Sequence, residues 1–406
     1  MAIRWTPIPK DERLAHFAPP SPGTQVTPRE CQALAVQAAW RGLGRVAPNP
    51  LVGAVIVDRT HRFLAAGAHE CVGQAHAEAN ALAACTANGA DLKGGTIYVT
   101  LEPCAHTGRT PACAPSLAAA GLAHVVYGLD DPNPQVDGRG VRILRAAGLT
   151  CELAAEWQPE CAALAEIFTW NITQHAPFVA LKVATTLDGV MARHGDRRAW
   201  ITGPRARAYG HFLRAYYDAI LIGSTTMLAD NPTLDTREGL VAGRSPIRVV
   251  VDPGARALRT LGVERANILK NDAHRALWIT GPGALVDADG ARRAAALAAK
   301  GTALVQLPLA ENGSLAPPSI LAALAGRGIT SVLLEGGDGL YGPFLAGGHV
   351  QRLHLFQAAR LFGGDGSLHF AARAGALTAE ADSDIDITPL ANDWLVEMRL
   401  RKAPPS

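Results

Sequence analysis

Four side chains, His76, Glu78, Cys104 and Cys113, restrict the possible folds of this chain more than any other feature. His76-Ala77-Glu78 is followed by Pro103-Cys104 and, after eight intervening residues, by Cys113. One imidazole and two thiolates bind zinc tightly yet leave the fourth tetrahedral position open, as catalytic rather than structural sites do. Ligands this far apart must be carried to one place. Short apolar runs at residues 51–57, 96–100 and 123–129 predict buried strands, and helices are expected over 75–88 and 112–120, closed by Gly89 and Gly121. His76 and Glu78 then fall at the start of one helix, with Cys104 and Cys113 around the start of the next. Helix N-termini favour ionised thiols, so an α/β layer architecture brings all four groups to one sheet edge.

The spacing H-x-E with P-C is shared with the zinc-dependent deaminases. A metal held this way brings the pKa of a bound water to about 7, low enough for attack on an electron-poor ring carbon that bears an amino group. Glu78 is the proton carrier, taking the water's proton and delivering it to the ring nitrogen and then to departing ammonia.

With 406 residues the chain exceeds what one core usually organises, and two domains are expected. We read residues 1–26 as a flexible leader, 27–173 as the zinc-bearing domain and 174–406 as a second domain. Thr27-Pro28-Arg29-Glu30 reads as a capping box with proline at the first helical position. A net charge of +2 is too small for a nucleic-acid-binding or membrane-surface field. The seven cysteines are irregularly spaced and confined to the first 161 residues, which suits reduced thiols and a cytoplasmic protein better than a disulfide framework. No apolar run resembles a signal peptide or reaches the roughly 20 residues of a membrane span.

In the second half, apolar runs at 178–185, 219–223, 247–252, 277–280, 303–307 and 331–335 predict strands. Residues 350–356 and 394–400 alternate like a terminal hairpin-like pair, and 291–300 reads as a helix. Gly336-Gly337-Asp338-Gly339 follows a strand and opens a helix, which lets backbone amides approach a phosphate. Its spacing and late position are not those of the Rossmann fingerprint.

Read together, the two halves resemble the bifunctional pyrimidine deaminase/reductases of riboflavin biosynthesis over roughly residues 28–402. The resemblance rests on Pro48-Asn49-Pro50, Val52-Gly53, His76-Ala77-Glu78, the run Thr100 to Pro111 with Cys113, Asp131 to Gln135, Leu187-Asp188-Gly189, Trp200-Ile201-Thr202, Asp230-Asn231-Pro232 and Glu335-Gly336-Gly337. It implies a cytidine-deaminase-like three-layer domain joined to a dihydrofolate-reductase-like domain. The first would use zinc to deaminate a phosphoribosylated diaminopyrimidinone, and the second would use NADPH to reduce the ribosyl group to ribityl. His76, Cys104 and Cys113 would hold Zn2+, with Glu78 as proton donor. Ala184, Trp200, Thr226, Asp230 and the run Gly337, Asp338, Gly339, Leu340, Tyr341, Gly342 and Pro343 match dinucleotide-contacting positions. Asn49, Arg198, Arg214, Leu234, Arg237 and Glu335 match substrate-contacting ones, Arg214 and Arg237 offering forked donors to a sugar phosphate. A C-terminal pair of strands suits subunit pairing, so a homo-oligomer, dimer or tetramer, joined through the reductase domain is expected, and the near-neutral charge argues against nucleic acid or membrane as a partner.

This chain departs from the family at Arg198, at His349-Val350-Gln351-Arg352, and at Ala75 and Ala112 beside the ligands. Two other readings compete. One is a nucleic-acid base deaminase, which needs a basic binding face; the other is a deaminase whose second half binds nucleotides without catalysis.

Overall fold

The computed structural model describes residues 18–106, 108, 110–134, 136–192, 200–236, 245–363, 368–370, 379–381 and 385–402. Its contacts divide the chain into two compact units, Met1–His175 and Ala176–Ser406.

The first unit begins with α1 (Pro28–Ala39), β1 (Gly53–Val57), β2 (Phe63–Ala68), α2 (Ala77–Ala87), β3 (Thr96–Val99) and α3 (Cys113–Ala119). It continues with β4 (His124–Tyr127), α4 (Arg139–Ala146), β5 (Thr150–Leu153), α5 (Gln158–Leu164) and α6 (Glu166–Gln174). The strands form one sheet in the order β2-β1-β3-β4-β5. β1 runs antiparallel to both β2 and β3, while β3, β4 and β5 are parallel.

β1 is buried along its whole length, and its alternating side chains feed two cores. Ala54 and Ile56 pack with Ala77, Ala81, Leu117 and Leu144 of α2, α3 and α4. Val55 and Val57 pack with Cys31 and Ala35 of α1. Helices therefore cover both faces, giving three layers. At the start of α1 both bonds of the capping box are present. The end of the expected flexible leader is pinned, because Gly23 N donates to Phe63 O at 2.8 Å and Val26 N to His61 O at 3.0 Å. Residues 1–17 of that leader lie outside the described residues.

The second unit begins with β6 (Phe178–Thr186), β7 (Val190–Ala192), α7 (Pro204–Tyr216), β8 (Ala219–Gly223), α8 (Ser224–Asp230), β9 (Ile247–Val251) and α9 (Arg256–Arg265). β10 (Ala276–Thr280), α10 (Ala288–Ala299), β11 (Ala303–Gln306), α11 (Pro317–Ala325), β12 (Ser331–Leu334) and α12 (Asp338–Ala346) follow. The chain closes with β13 (Arg352–Ala358), β14 (Leu368–His369), β15 (Ala379–Ala381), β16 (Asp386–Leu390) and β17 (Asp393–Lys402). The main sheet runs β11-β10-β9-β8-β12-β6-β13-β17-β15, with β16 also on β17. It is parallel from β11 to β13.

The predicted late strands do pair antiparallel, Arg352 opposite Arg399 through Ala358 opposite Asp393. They are not a hairpin, since β14, β15 and β16 intervene in sequence. One sheet face packs Leu181, Leu221, Val249 and Leu334 against Leu321, Tyr341 and Phe344. The other packs Ile220, Ile222, Val250 and Trp278 against Met227, Leu258 and Leu297. Because β6 and β12 leave β8 on one side and β9 to β11 continue on the other, the strand order reverses between β8 and β12. A crevice at the carboxyl ends of strands beside such a reversal is where α/β sheets bind ligands.

Candidate active sites

In the first unit, two loops and two helix starts meet. His76 is the N-cap of α2 and Glu78 lies in its first turn, while Cys113 opens α3. A Cβ on Gly67 would overlap Ala77 O and Ala81 N, so only glycine lets α2 lie this close to β2. The loop bearing Cys104 is fixed by Glu102, which is buried and accepts from Gly138 N at 3.1 Å and Val141 N at 3.2 Å.

His76 Nδ1 lies 3.5 Å from Cys104 Sγ and 3.4 Å from Cys113 Sγ, and the three ligand atoms fall within 4.8 Å of one another. Zn–N and Zn–S bonds of about 2.05 and 2.3 Å at a tetrahedral angle put nitrogen and sulfur about 3.6 Å apart. The donor set and its spacing therefore fit zinc. Cys113 N donates to Cys104 Sγ at 3.3 Å, and the thiol of Cys104 is pushed down to about 4, first by its hydrogen bond with Cys113 and then by His76. Cys113, competing with it for one proton, is pushed up. The far nitrogen of the ring, His76 Nε2, is 3.2 Å from Thr110 Oγ1. With Nδ1 as ligand atom, Nε2–H donates to that hydroxyl and fixes the ring.

Glu78 is 4% exposed, and burial raises its carboxyl to about 7. It lines a cavity of about 380 Å³ together with His76, Cys104, Asn49, His106 and Asn133. Buried His69 shares its Nδ1 with Ala75 O at 3.1 Å and its Nε2 with Asn49 Nδ2 at 3.1 Å. A carbonyl only accepts, so Nδ1 carries the proton and Nε2 accepts from the Asn49 amide. Asn49 Oδ1 is thereby left as the acceptor of that side chain. His69, Glu102 and Thr110 went unrecognised in the sequence analysis as supports of the site. Glu102 and Thr110 fall in the run Thr100 to Pro111 that carries the resemblance, whereas His69 has only its proximity to the ligands as a signal.

The second unit holds a cavity of about 600 Å³ at the carboxyl ends of β8, β9 and β12. Of the positions matched to dinucleotide contacts, Thr226, Asp230, Gly337, Asp338, Gly339, Leu340 and Pro343 line it. Gly336 has φ +114, and a Cβ there would sit 2.7 Å from Thr226 Oγ1, so backbone and space both demand glycine. Tyr341 and Gly342 are buried and absent from the lining, because successive helix positions turn by about 100° and carry these two to the core side of α12. Tyr341 OH reaches Met191 Sδ at 2.6 Å. Trp200 also lies outside the lining; it is 63% exposed with the Arg207 guanidinium 4.8 Å from its ring centre. Ala184 is half-buried within β6, opposite Phe356.

The expected phosphate fork of Arg214 is engaged elsewhere. Its Nε and Nη2 donate to Glu335 Oε1 and Oε2 at 3.1 and 3.2 Å, and Nη1 donates to Asp235 O at 3.3 Å. Burial opposes ionisation of Glu335, but Arg214 and then Lys182 outweigh it and hold the carboxyl down at about 2. Leu234 has φ +55 and a side chain buried in the core, which leaves only its backbone for a ligand. Lys182 was missed, although a lone lysine in an otherwise uncharged strand was a readable signal. It stands on β6 opposite His354, and His354 pairs in turn with Glu397 at 2.8 Å. Asp188 pins the loop after β13, accepting from Gly363 N at 2.6 Å and Phe362 N at 3.2 Å. Arg198 and Arg237 lie outside the described residues. Among the described residues, no helix is long and apolar enough to cross a membrane.

Both units match known protein families. Residues 27–129 match the family model of the cytidine and deoxycytidylate deaminase zinc-binding region, and residues 177–378 match that of the RibD C-terminal domain. The riboflavin biosynthesis protein RibD of Actinobacillus pleuropneumoniae is 38% identical over 81% of this chain and 83% of its own length. That of Synechocystis is 36% identical over 90% and 94%. Among solved structures, a diaminohydroxyphosphoribosylaminopyrimidine deaminase/5-amino-6-(5-phosphoribosylamino)uracil reductase from Thermotoga maritima superposes with a TM-score of 0.75 at 33% identity, covering 91% of this chain and 98% of that one. Acinetobacter baumannii RibD gives a TM-score of 0.75 at 31% identity, over 92% and 98%. A deaminase zinc-binding region and a reductase unit on one chain, matched along most of its length, make this protein a member of the RibD family, the bifunctional deaminase/reductases of riboflavin biosynthesis.

Proposed function

We propose that this chain releases ammonia from 2,5-diamino-6-(5-phosphoribosylamino)pyrimidin-4(3H)-one in its first unit and reduces the ribosyl group of the product to ribityl with NADPH in its second. The observation that carries the reading is the cluster of His76 Nδ1 with two sulfurs at 3.4–3.5 Å beside the buried Glu78. Zinc held by His76, Cys104 and Cys113 would supply the Lewis acidity that brings hydrolytic attack within reach near pH 7. Glu78 carries one proton of the attacking water to the ring nitrogen and then the second, from the newly formed hydroxyl, to the leaving amine, which departs as ammonia, a task that suits a carboxyl raised to about 7. Asn49 Oδ1, with its amide nitrogen committed to His69, accepts from a donor edge of the ring.

In the second unit NADPH would supply a hydride. The loop from Gly336 to Leu340 cradles its phosphates, with Thr226 and Asp230 also lining the cavity. Glu335 stays anionic at working pH and receives a ring donor, while Arg214 orients it rather than gripping phosphate. Arg237 remains as a phosphate-binding candidate, and Arg198 and the backbone of Leu234 as further contacts.

We also propose a homo-oligomer joined through the second unit, supported by exposed Ile385, Ile387 and Trp394 on and beside β16 and β17. A cytoplasmic setting is favoured by seven unpaired cysteines. The test follows ammonia and NADPH in one sample. Ammonia release that precedes NADPH oxidation, with oxidation dependent on the deaminated product, is expected; NADPH oxidation without prior deamination would overturn the order.

A further inference from the structure

Residues 130–176 fall outside both matched family regions, yet a side chain from the last helix of this stretch reaches the cavity of the first unit. Phe168 of α6 lines that space together with Asn49, His69, His76 and Glu78. It is the only carbocyclic aromatic ring among the described lining residues. The fold makes little use of it: α6 buries none of its residues fully, and Phe168 belongs to neither core around β1. A half-buried phenyl ring beside a cavity offers apolar surface to whatever the cavity holds.

The packing of the preceding helix holds the ring there. α5 seats on α1, where Gln32 Nε2 donates to Cys161 Sγ at 3.7 Å. A Cβ on Gly128, just past β4, would sit 2.2 Å from that sulfur, so only glycine admits α5 at this depth. Ala165 alone separates α5 from α6, its N donating to Cys161 O at 3.1 Å while its carbonyl accepts from Thr169 N at 2.8 Å. Phe168 is therefore carried by a helix tied to the body of the unit, which makes it a fixed wall of the cavity.

A pyrimidine whose amino-bearing carbon sits at the metal ligands and Glu78 presents a polar rim and two flat faces. Asn49, Asp131 and Asn133 line the cavity with hydrogen-bonding groups suited to the rim. A face needs a flat apolar partner instead, and stacking on an aromatic side chain meets that need whatever the ring's substituents. Such a contact is as strong before the attack as during it. It therefore lowers KM and leaves kcat alone.

We propose that Phe168 covers one face of the pyrimidine in the cavity of the first unit, a substrate contact supplied by α6. The inference rests on the deaminase reading of that unit. Its test measures KM and kcat for ammonia release from 2,5-diamino-6-(5-phosphoribosylamino)pyrimidin-4(3H)-one by the full-length, zinc-loaded protein, native and with Phe168→Ala, Phe168→Leu or Phe168→Tyr. Phe168→Ala should raise KM about 5- to 150-fold, the usual loss for one base stacked on one aromatic ring. kcat should stay within about 3-fold and zinc at one per chain. Phe168→Leu keeps apolar bulk without a ring and should raise KM in the same direction, while Phe168→Tyr should stay near the native value. A native KM in Phe168→Ala, or in Phe168→Leu, would overturn the assignment, the second because bulk alone would then suffice. Loss of zinc from Phe168→Leu would make the residue structural and overturn it as well. A zinc-loaded native protein that releases no ammonia would remove the deaminase reading itself, and this inference with it.

Discussion

Replacing Glu335 with glutamine should destabilise the second unit by about 3 kcal/mol. The carboxyl titrates at about 2 instead of 4.5, a shift of about 2.5 units at roughly 1.4 kcal/mol per unit. The same magnitude follows from Arg214, whose side chain is only 18% exposed and which would be left without a counter-charge; stripping one partner from a buried pair costs about 3–5 kcal/mol. In a unit of this size that lowers the melting temperature by about 6–12 °C. The transition to follow is the one that NADPH raises, since ligand binding marks the second unit. Because the folded-state pKa is depressed, the contribution is complete above about pH 4.5 and is lost as pH falls towards 2, so the gap between native and Glu335→Gln proteins should close over that window. Arg214→Met combined with Glu335→Gln should recover part of the loss, since neither charge is then stranded. A shift under about 2 °C for the single variant, or losses that simply add in the double variant, would refute the view that these groups stabilise each other.

Glu78→Gln should lower ammonia release by roughly 10²- to 10⁴-fold while leaving zinc content by atomic absorption at one per chain and NADPH oxidation with pre-deaminated product unchanged. Thr110→Val removes the acceptor of His76 Nε2–H, 3.2 Å away, and should weaken zinc affinity about 10- to 100-fold in a chelator competition; unchanged affinity would mean that Thr110 does not orient the ring. Gly336→Ala forces a side chain into φ +114 and against Thr226 Oγ1, and should cost about 1–3 kcal/mol of NADPH binding by titration with the deaminase rate unaffected.

The parts of this molecule legible in its sequence are those whose physics is local. The capping box at Thr27 and Glu30 needs only two residues three apart, and both its bonds form, at 2.8 and 3.2 Å. The ligand triad is legible because imidazole and thiolate are rare donors that have few other reasons to recur with a carboxylate at this spacing, although the sheet that unites them includes a strand the pattern hid. β2 reads Phe-Leu-Ala-Ala-Gly-Ala, which has no β-branched residue, and it is a strand because β1 pairs with it and α2 lies on its glycine. Tyr341 and Gly342 differ from the other five positions of their run in lying on the core side, since seven consecutive residues cannot all face one way once α12 is recognised as a helix.

Arg214 is different in kind. A guanidinium satisfies a phosphate or a carboxylate by the same forked geometry, and which of them it meets here is decided by Glu335, 121 positions away in sequence and brought within 3.1 Å by the β8-β12 pairing. In this chain the first site is specified by which side chains are present and the second by which of them are already spoken for, so a charge in the reductase unit can be assigned a ligand only after its internal partners have been counted.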